Sequence, residues 1–180
     1  MIVVVMGLSG SGKSFLASIL KEEFGFEWVR SDSIRKELAG IAESQKTKVG
    51  YGEGIYSPEW TKKVYEEMLK RAESMAREGK DVVLDATFIE EWQRNMVKGK
   101  FPEAVFLLAH AEEEEILRRL KERKDISDAG VEVYLKQKER FTPPDYARTI
   151  NTQRSKDELK VVLLEVLQEH GWTCKRGMHQ

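Results

Sequence analysis

The sequence predicts an α/β fold, a five-stranded parallel sheet with helices on both of its faces. Residues 2–6 are apolar and mostly β-branched, the composition of a strand that is buried on both faces. Beyond them, segments with strand and helix patterns alternate along the chain, as they do when helices connect parallel strands. The chain has 180 residues, the length of one domain with a full hydrophobic core.

The first three helices are predicted from the residues at their ends. The helix that follows residue 14 stops at Gly25, because glycine suits the position after a helix. A short helix opens at Ser31 and stops before Gly40. Ser57 followed by proline is a good helix start, and apolar residues at helical spacing then continue to Gly79. The strands predicted after the first cover residues 26–30, 82–84, 104–108 and 147–151.

Four more helices are predicted in the second half of the chain. One covers residues 90–96, and another covers 112–123, where acids at the start and bases at the end match the helix dipole. A third covers 129–140 and is stopped by two prolines. Ser155 and Glu158 form a capping box that predicts the start of the last helix.

Residues 7–14 match the phosphate-binding pattern G-x-x-x-x-G-K-[ST], between the first strand and the first helix. The glycines let backbone N–H groups turn inward around a triphosphate, and the helix N-terminus adds a positive dipole. Lys13 has the position that reaches the β- and γ-phosphates, and Ser14 the position that ligates Mg²⁺. We therefore predict ATP and Mg²⁺ as cofactors. The predicted nucleotide-binding residues are Gly7, Ser9, Gly10, Ser11, Gly12, Lys13 and Ser14.

Polar residues also follow the second and third strands. Asp32 and Arg35 follow the second strand, and Asp85 and Thr87 follow the third. Ligands of an open parallel sheet bind beyond the carboxyl ends of its strands, so we expect these groups at the phosphate loop. Simpler interpretations remain open: Asp32 as a helix cap, Asp85 as a turn cap and Arg35 as a solvated surface residue.

Aromatic and basic residues elsewhere allow two interpretations each. Tyr51 and Tyr56 lie in a stretch interrupted by glycines, and the sequence leaves open whether they line an acceptor pocket. Trp60 fits the core face of its helix. Arg119 and Arg123 share one helix face, where both complement the helix end, and Arg119 is spaced to pair with a glutamate one turn earlier.

The composition argues against several classes of protein. Lys and Arg total 30 and Asp and Glu 31, a net charge of −1 with no general attraction to nucleic acid or anionic membranes. No apolar run has the length of a membrane span, and no signal peptide is recognisable at the N-terminus. Cys174 is the single cysteine, so neither a disulfide framework nor a cysteine metal site is expected. We expect a cytoplasmic protein.

The chain resembles a group of P-loop kinases through three segments: residues 7–14, the run Arg30-Ser31-Asp32-Ser33-Ile34-Arg35, and Val83-Leu84-Asp85-Ala86-Thr87. The group includes polynucleotide 5′-kinase, chloramphenicol phosphotransferase and zeta-type toxins. Residues 36–40, 51–57 and 127–129 look most like a branch known only as predicted kinases. The resemblance covers residues 2–168.

The resemblance implies roles for five residues. Asp32 matches the general base toward the acceptor hydroxyl, and Arg35 matches a residue that binds the acceptor. Asp85 stands where related kinases keep an acid near the metal or the acceptor. Arg119 and Arg123 match arginines of a lid that closes over the triphosphate.

From these observations we expect one P-loop kinase domain over residues 1–170, followed by a tail over 171–180. A lid is expected around residues 119–130 and a cap on the acceptor side over 41–57. The predicted activity is transfer of the ATP γ-phosphate to a hydroxyl of a small molecule, with no membrane partner. A polynucleotide 5′-hydroxyl kinase and a nucleotide-gated regulator are the alternatives, and the oligomeric state stays open.

Overall fold

The computed structural model describes residues 1–42, 52, 54–123 and 129–175. All strand pairs are parallel, and the order in the sheet is β2-β3-β1-β4-β5. The predicted five-stranded α/β fold is therefore confirmed. The strands are β1 (Ile2–Met6), β2 (Glu27–Arg30), β3 (Val82–Asp85), β4 (Val105–His110) and β5 (Arg148–Asn151).

Seven α-helices and one 3₁₀ turn (Gly54–Tyr56) surround the sheet in the described ranges. Two predicted serine caps are confirmed: the Ser57 hydroxyl accepts a hydrogen bond from the N–H of Trp60, and Ser155 accepts one from the N–H of Glu158. The predicted capping box is only half present, because the Glu158 carboxylate accepts from the Ser155 hydroxyl at 3.0 Å. The helices are α1 (Lys13–Phe24), α2 (Ser31–Leu38), α3 (Pro58–Arg77), α4 (Glu91–Lys100), α5 (Glu113–Glu122), α6 (Ala129–Arg140) and α7 (Lys156–Glu169).

The sheet divides the core into two layers, and β1 contributes to both. Val4 and Met6 pack into a cluster with α3, whereas Val3 and Val5 pack with α1 and α7 on the opposite face. Successive side chains of a strand point to opposite faces, so a strand covered on both sides needs apolar residues at every position. This explains why residues 2–6 are continuously apolar.

Two aromatic residues differ from their predicted surroundings. Trp60 is only partly buried, with the Lys63 ammonium 5.2 Å from its ring centroid, so its assignment to the core is wrong. Trp172 falls in the segment that we expected to form a tail, yet it is 7% exposed. Its indole N–H donates to Asp81, and its ring packs edge-on against Phe24 at 5.5 Å.

The start of α2 corrects a second interpretation. The helix begins at Ser31 with Arg30 at the N-cap position, so Asp32 lies inside the first turn. Asp32 is therefore not a helix cap, although a carboxylate in the first turn still suits the positive end of the helix dipole.

Within the described residues, no helix combines the length and the apolar character needed to cross a membrane.

Candidate active site

The phosphate loop lies between β1 and α1 and is closely packed against β4 and the residue that follows β5. Gly12 has φ +99°, and a Cβ atom there would lie 2.7 Å from the side chain of Thr152. A Cβ atom at Gly7 would lie 2.8 Å from the carbonyl oxygen of Ala109. Positive φ and this close approach both require glycine. The two motif glycines therefore have physical reasons in this fold.

Residues from α5 and from the end of β5 hold the outer side of the loop. Arg119 Nη1 donates to the carbonyl of Gly10 at 3.1 Å and to Thr152 Oγ1 at 3.0 Å. Thr152 Oγ1 in turn donates to the carbonyl of Ser11 at 2.5 Å. Because these carbonyls are bound from outside, the loop is held in shape before any phosphate is present. The Ser11 hydroxyl is itself buried without a partner in the described structure.

Lys13 is the centre of a cluster of charges. Its Nζ donates to the carbonyl of Leu8 at 3.0 Å. Burial lowers the pKa of Lys13, and the nearby carboxylates of Asp85 and Asp32 oppose that shift. The positive charges of Arg123 and Arg30 add to the lowering. Residues that follow β1, β2 and β3 thus meet at one place, as the strand-end argument predicts.

Asp85 ends β3 and lies beside the predicted metal ligand. Its Oδ2 accepts hydrogen bonds from Ser14 Oγ at 3.1 Å and from the indole N–H of Trp28 at 3.0 Å. The Arg30 guanidinium lies 3.9 Å from the same oxygen. Burial raises the pKa of Asp85, and the ammonium of Lys13 opposes that shift. Asp85 is thus more than a turn cap, because it is bound to the motif serine.

The described residues contain no cluster of three or more His, Cys, Asp or Glu that could hold a metal by themselves. Ser14 and Asp85 nevertheless supply two oxygens to one point. Mg²⁺ usually binds through one or two protein oxygens, and the remaining positions are filled by phosphate oxygens and water. The pair therefore fits Mg²⁺ that arrives with a nucleotide.

Arg35 lies one helical turn after Asp32 and is 7% exposed. Its Nη1 donates to the carbonyl of Ile55 at 2.7 Å and to Thr61 Oγ1 at 3.1 Å, and the Tyr56 ring centroid lies 4.9 Å from the guanidinium carbon. The interpretation of Arg35 as a solvated surface residue is therefore wrong. Arg35 joins α2 to the 3₁₀ turn and to α3. Tyr56 belongs to this wall, whereas Tyr51 lies outside the described residues.

The turn after β3 has a strained backbone. Phe88 has φ +49°, which non-glycine residues rarely adopt. Its N–H donates to Tyr65 Oη at 3.1 Å, and Arg94 Nη1 donates to its carbonyl at 2.7 Å. The carbonyl of Thr87 accepts the N–H of Gly7 at 3.2 Å. The backbone of Thr87 is thus fixed against the phosphate loop.

A family model described as an AAA domain, AAA_33, matches residues 2–144. The chain belongs to the AAA_33 family. Comparison of this chain with curated proteins found no match.

Solved structures similar to this chain include three kinases. A sugar kinase from Janibacter is 19% identical, with a TM-score of 0.69 over 93% of this chain and 94% of its own. The Mycobacterium tuberculosis APS kinase CysC, in complex with AMPPNP and APS, is 17% identical, with a TM-score of 0.67 over 93% and 96%. A gluconokinase from Sinorhizobium meliloti is 20% identical, with a TM-score of 0.60 over 94% and 97%. The fold of this chain is thus that of the P-loop kinases.

The two arginines predicted to belong to a lid have different surroundings. Arg119 pairs with Glu115 at 3.1 Å, as its spacing allows, but it also binds the phosphate loop directly. Arg123 is exposed at the end of α5, and its charge acts on Lys13. Residues 124–128 of the predicted lid lie outside the described residues. The role of both arginines as a lid stays a prediction.

Arg119→Ala is expected to lower the free energy of unfolding by about 1–3 kcal/mol, because it removes a charged donor from buried carbonyls. For a chain of this length the melting temperature should fall by roughly 2–12 °C, and AMPPNP binding should weaken with it. Arg118→Ala is the matched control, since the partners of Arg118 among the described residues are exposed or partly exposed glutamates of its own helix. Equal melting curves for the two variants would contradict the contact of Arg119 with the loop.

Four residues of the site were missed from the sequence. Thr152 follows β5, so the strand-end argument that found Asp85 would also have indicated it. Trp28, Tyr65 and Gln137 carried no such signal, because each reaches the site through a side chain whose direction depends on how its strand or helix packs. Trp28 donates to Asp85, Tyr65 accepts from the N–H of Phe88, and Gln137 accepts from the N–H of Ser9.

Proposed function

We propose that this protein is an ATP-dependent phosphotransferase that moves the γ-phosphate to a hydroxyl group of a small molecule in the cytoplasm. The observation that carries the proposal is the group of charges at the phosphate loop, where Asp85 accepts a hydrogen bond from Ser14 and the carboxylates of Asp85 and Asp32 both act on the ammonium of Lys13. A site that only stored nucleotide would not need the exposed carboxylate of Asp32 in addition to Asp85.

The chain's own residues would divide the work of phosphoryl transfer. The transition state is loose, so positioning and charge neutralisation provide most of the catalysis. Lys13 would bind the β- and γ-phosphates, and Arg123 would add positive charge from the end of α5. Asp32 would orient the acceptor hydroxyl and take its proton as the new P–O bond forms and the bond to ADP breaks.

Ser14 and Asp85 would hold Mg²⁺, which supplies Lewis-acid neutralisation of phosphate charge. Asp85 Oδ2 already accepts hydrogen bonds from Ser14 and Trp28, so its position favours the metal over the acceptor. Trp28 would act as a positioning residue that fixes the orientation of this carboxylate.

The acceptor would bind between α2 and the turn after β3. Asp32, Thr87 and Tyr56 would line this region. Arg35, which packs over the Tyr56 ring and is influenced by the charge of Asp32, would supply positive charge from its wall. The named neighbours act on a sugar, gluconate and APS, which supports a small polar acceptor. The net charge of −1 gives no general attraction to nucleic acid, so we place an oligonucleotide second.

The experiment is incubation of the protein with ATP labelled at its γ-phosphate and fractions of a metabolite extract, followed by mass spectrometry for labelled products. A labelled phosphomonoester is expected with the native chain and not with Lys13→Met. Labelled inorganic phosphate alone, formed at the same rate with or without extract, would contradict a kinase. Labelling restricted to 5′-hydroxyl oligonucleotides would favour the second acceptor class.

A further inference from the structure

Phe88, in the turn after β3, has its backbone held by side chains of two different helices. Its N–H donates to the hydroxyl of Tyr65 from α3 at 3.1 Å. Arg94 of α4 donates through Nη1 to the carbonyl of Phe88 at 2.7 Å and to the carbonyl of Ile89 at 2.9 Å. Both polar backbone groups of this strained residue, with φ +49°, are therefore bound by side chains.

Arg94 brings a positive charge into the interior without a counter-ion. It is 7% exposed, and the described residues include no carboxylate that forms an ion pair with its guanidinium. Its Nε is buried without a partner. Burial of an unpaired charge is costly, and an apolar side chain of similar size usually stabilises a core better. The stability of the core therefore does not explain an arginine at this position, whereas its two carbonyl contacts do.

The strained turn is joined to the phosphate loop through the peptide group that precedes Phe88. The carbonyl of Thr87 and the N–H of Phe88 belong to this one planar group. On one side the carbonyl accepts the N–H of Gly7, the first glycine of the phosphate loop, at 3.2 Å. On the other side the N–H donates to Tyr65. Tyr65 and Gly7 thus hold the same rigid unit from opposite ends.

The angle φ of Phe88 is the rotation between this peptide group and the next one along the chain. Tyr65 binds the first group and Arg94 binds the carbonyl of the second, so together they fix the angle. Strain of this kind favours a relaxed backbone by roughly fivefold to 150-fold when no contact opposes it. Relaxation would turn the carbonyl of Thr87 away from the N–H of Gly7.

We propose that Tyr65 and Arg94 are positioning residues for nucleotide binding. They hold Phe88 in its strained conformation, so that the carbonyl of Thr87 stays on the N–H of Gly7 and the phosphate loop keeps the shape that binds a triphosphate. Neither side chain has to contact the nucleotide. The inference rests on the proposed function for its nucleotide but requires no particular acceptor.

The test is calorimetric titration of AMPPNP with Mg²⁺, at a temperature where melting curves show every variant to be folded. Arg94→Met keeps the apolar stem and loses the donors, so its affinity should fall by roughly fivefold to 150-fold, because only molecules with the strained turn bind. Arg94→Lys keeps a charged donor for the two carbonyls and should recover much of this loss.

Tyr65→Phe is the second variant, in case the loss of Arg94 disturbs the fold. It keeps the ring that packs edge-on against Phe88 at 5.0 Å, loses the acceptor for the N–H, and should also weaken AMPPNP binding. Trp172→Phe is the control for a purely structural effect. It removes a buried hydrogen bond to Asp81, which lies at the end of β3 away from Asp85, so the melting temperature should fall while the affinity stays native.

Three results decide the matter. Native AMPPNP affinity in Arg94→Met and Tyr65→Phe, even with lower melting temperatures, would overturn the proposal, and so would equal affinities of Arg94→Met and Arg94→Lys. A native chain that binds AMPPNP and loses affinity in these variants, but phosphorylates no acceptor, would refute the kinase and leave this inference standing. A native chain without affinity for AMPPNP would refute both.

Discussion

Lys13→Met is expected to reduce ATP turnover by at least about 10²-fold, the usual cost of removing one positioned group that stabilises developing charge. Lys13 Nζ is bound to the loop carbonyl of Leu8, where the β- and γ-phosphates are expected, and no other lysine of the described residues contacts the loop. Methionine matches the length of the aliphatic stem, so the packing around it should be kept.

The same substitution is expected to leave the fold intact. Burial lowers the pKa of Lys13, so the folded chain disfavours its ammonium relative to the unfolded chain. At any pH below the pKa that Lys13 has in the folded chain, its buried positive charge therefore lowers the free energy of unfolding. The methionine variant has no such charge and does not carry this cost. The lost hydrogen bond to the Leu8 carbonyl acts in the opposite direction, so the melting temperature of Lys13→Met at neutral pH should stay close to the native value.

The measurements are initial rates of ATP consumption, AMPPNP titration and melting curves. Lys21→Met is the control on the same helix, because Lys21 is exposed near the C-terminal end of α1. Its turnover should be native. Native turnover by Lys13→Met would refute the assignment of residues 7–14 as the phosphate loop. A large fall in its melting temperature would instead show a structural role for this lysine.

Asp32→Asn is expected to reduce phosphotransfer by 10²- to 10⁴-fold, because an amide cannot take the proton of the acceptor hydroxyl. Asp32 is exposed in the first turn of α2 and is not its cap. The substitution removes a favourable interaction with the helix dipole, about 0.3–1 kcal/mol, and the attraction of the Asp32 carboxylate for the ammonium of Lys13. Binding of ATP should stay close to native, since we propose that Asp32 acts on the acceptor and not on the triphosphate.

The comparison variant is Glu37→Gln, which removes a carboxylate from the same helix. Glu37 pairs with Arg71 at 3.1 Å on an exposed surface, so its loss should change the rate little. Initial rates are measured for both variants with the acceptor from the extract experiment, and melting curves are recorded for both. The comparison separates the effect of losing any carboxylate of α2 from the effect of losing the catalytic base. If Asp32→Asn transfers phosphate at the native rate, the base lies elsewhere and Asp85 becomes the next candidate.

Much of the fold follows from local patterns. The apolar run of β1, the glycine that follows α1 and the serine caps of α3 and α7 each act within a few residues of the chain, so the sequence alone predicted them. The boundaries differ by a few residues where hydrogen bonds decide them: α4 continues to Lys100, beyond the predicted end at residue 96.

The position of polar residues after strand ends predicted part of the site, because ligands of a parallel sheet bind beyond the carboxyl ends of its strands. It indicated Asp32, Asp85 and Thr87 as neighbours of the phosphate loop, and the structure brings these residues around Lys13 and Gly7. It did not indicate that Asp85 contacts Ser14, since the neighbours of β1 in the sheet order depend on how all five strands pack.

The sequence by itself determined the phosphate loop, the alternation of strands and helices, and which strands end in polar groups, because these depend on residues close together in the chain. Only the tertiary structure decided the contacts of Arg35, Arg119 and Gln137. Arg35 is bound by residues about twenty positions away. Arg119 and Gln137 reach the phosphate loop across more than a hundred residues. Such contacts depend on the packing of α3, α5 and α6 against the rest of the molecule, which no local pattern encodes.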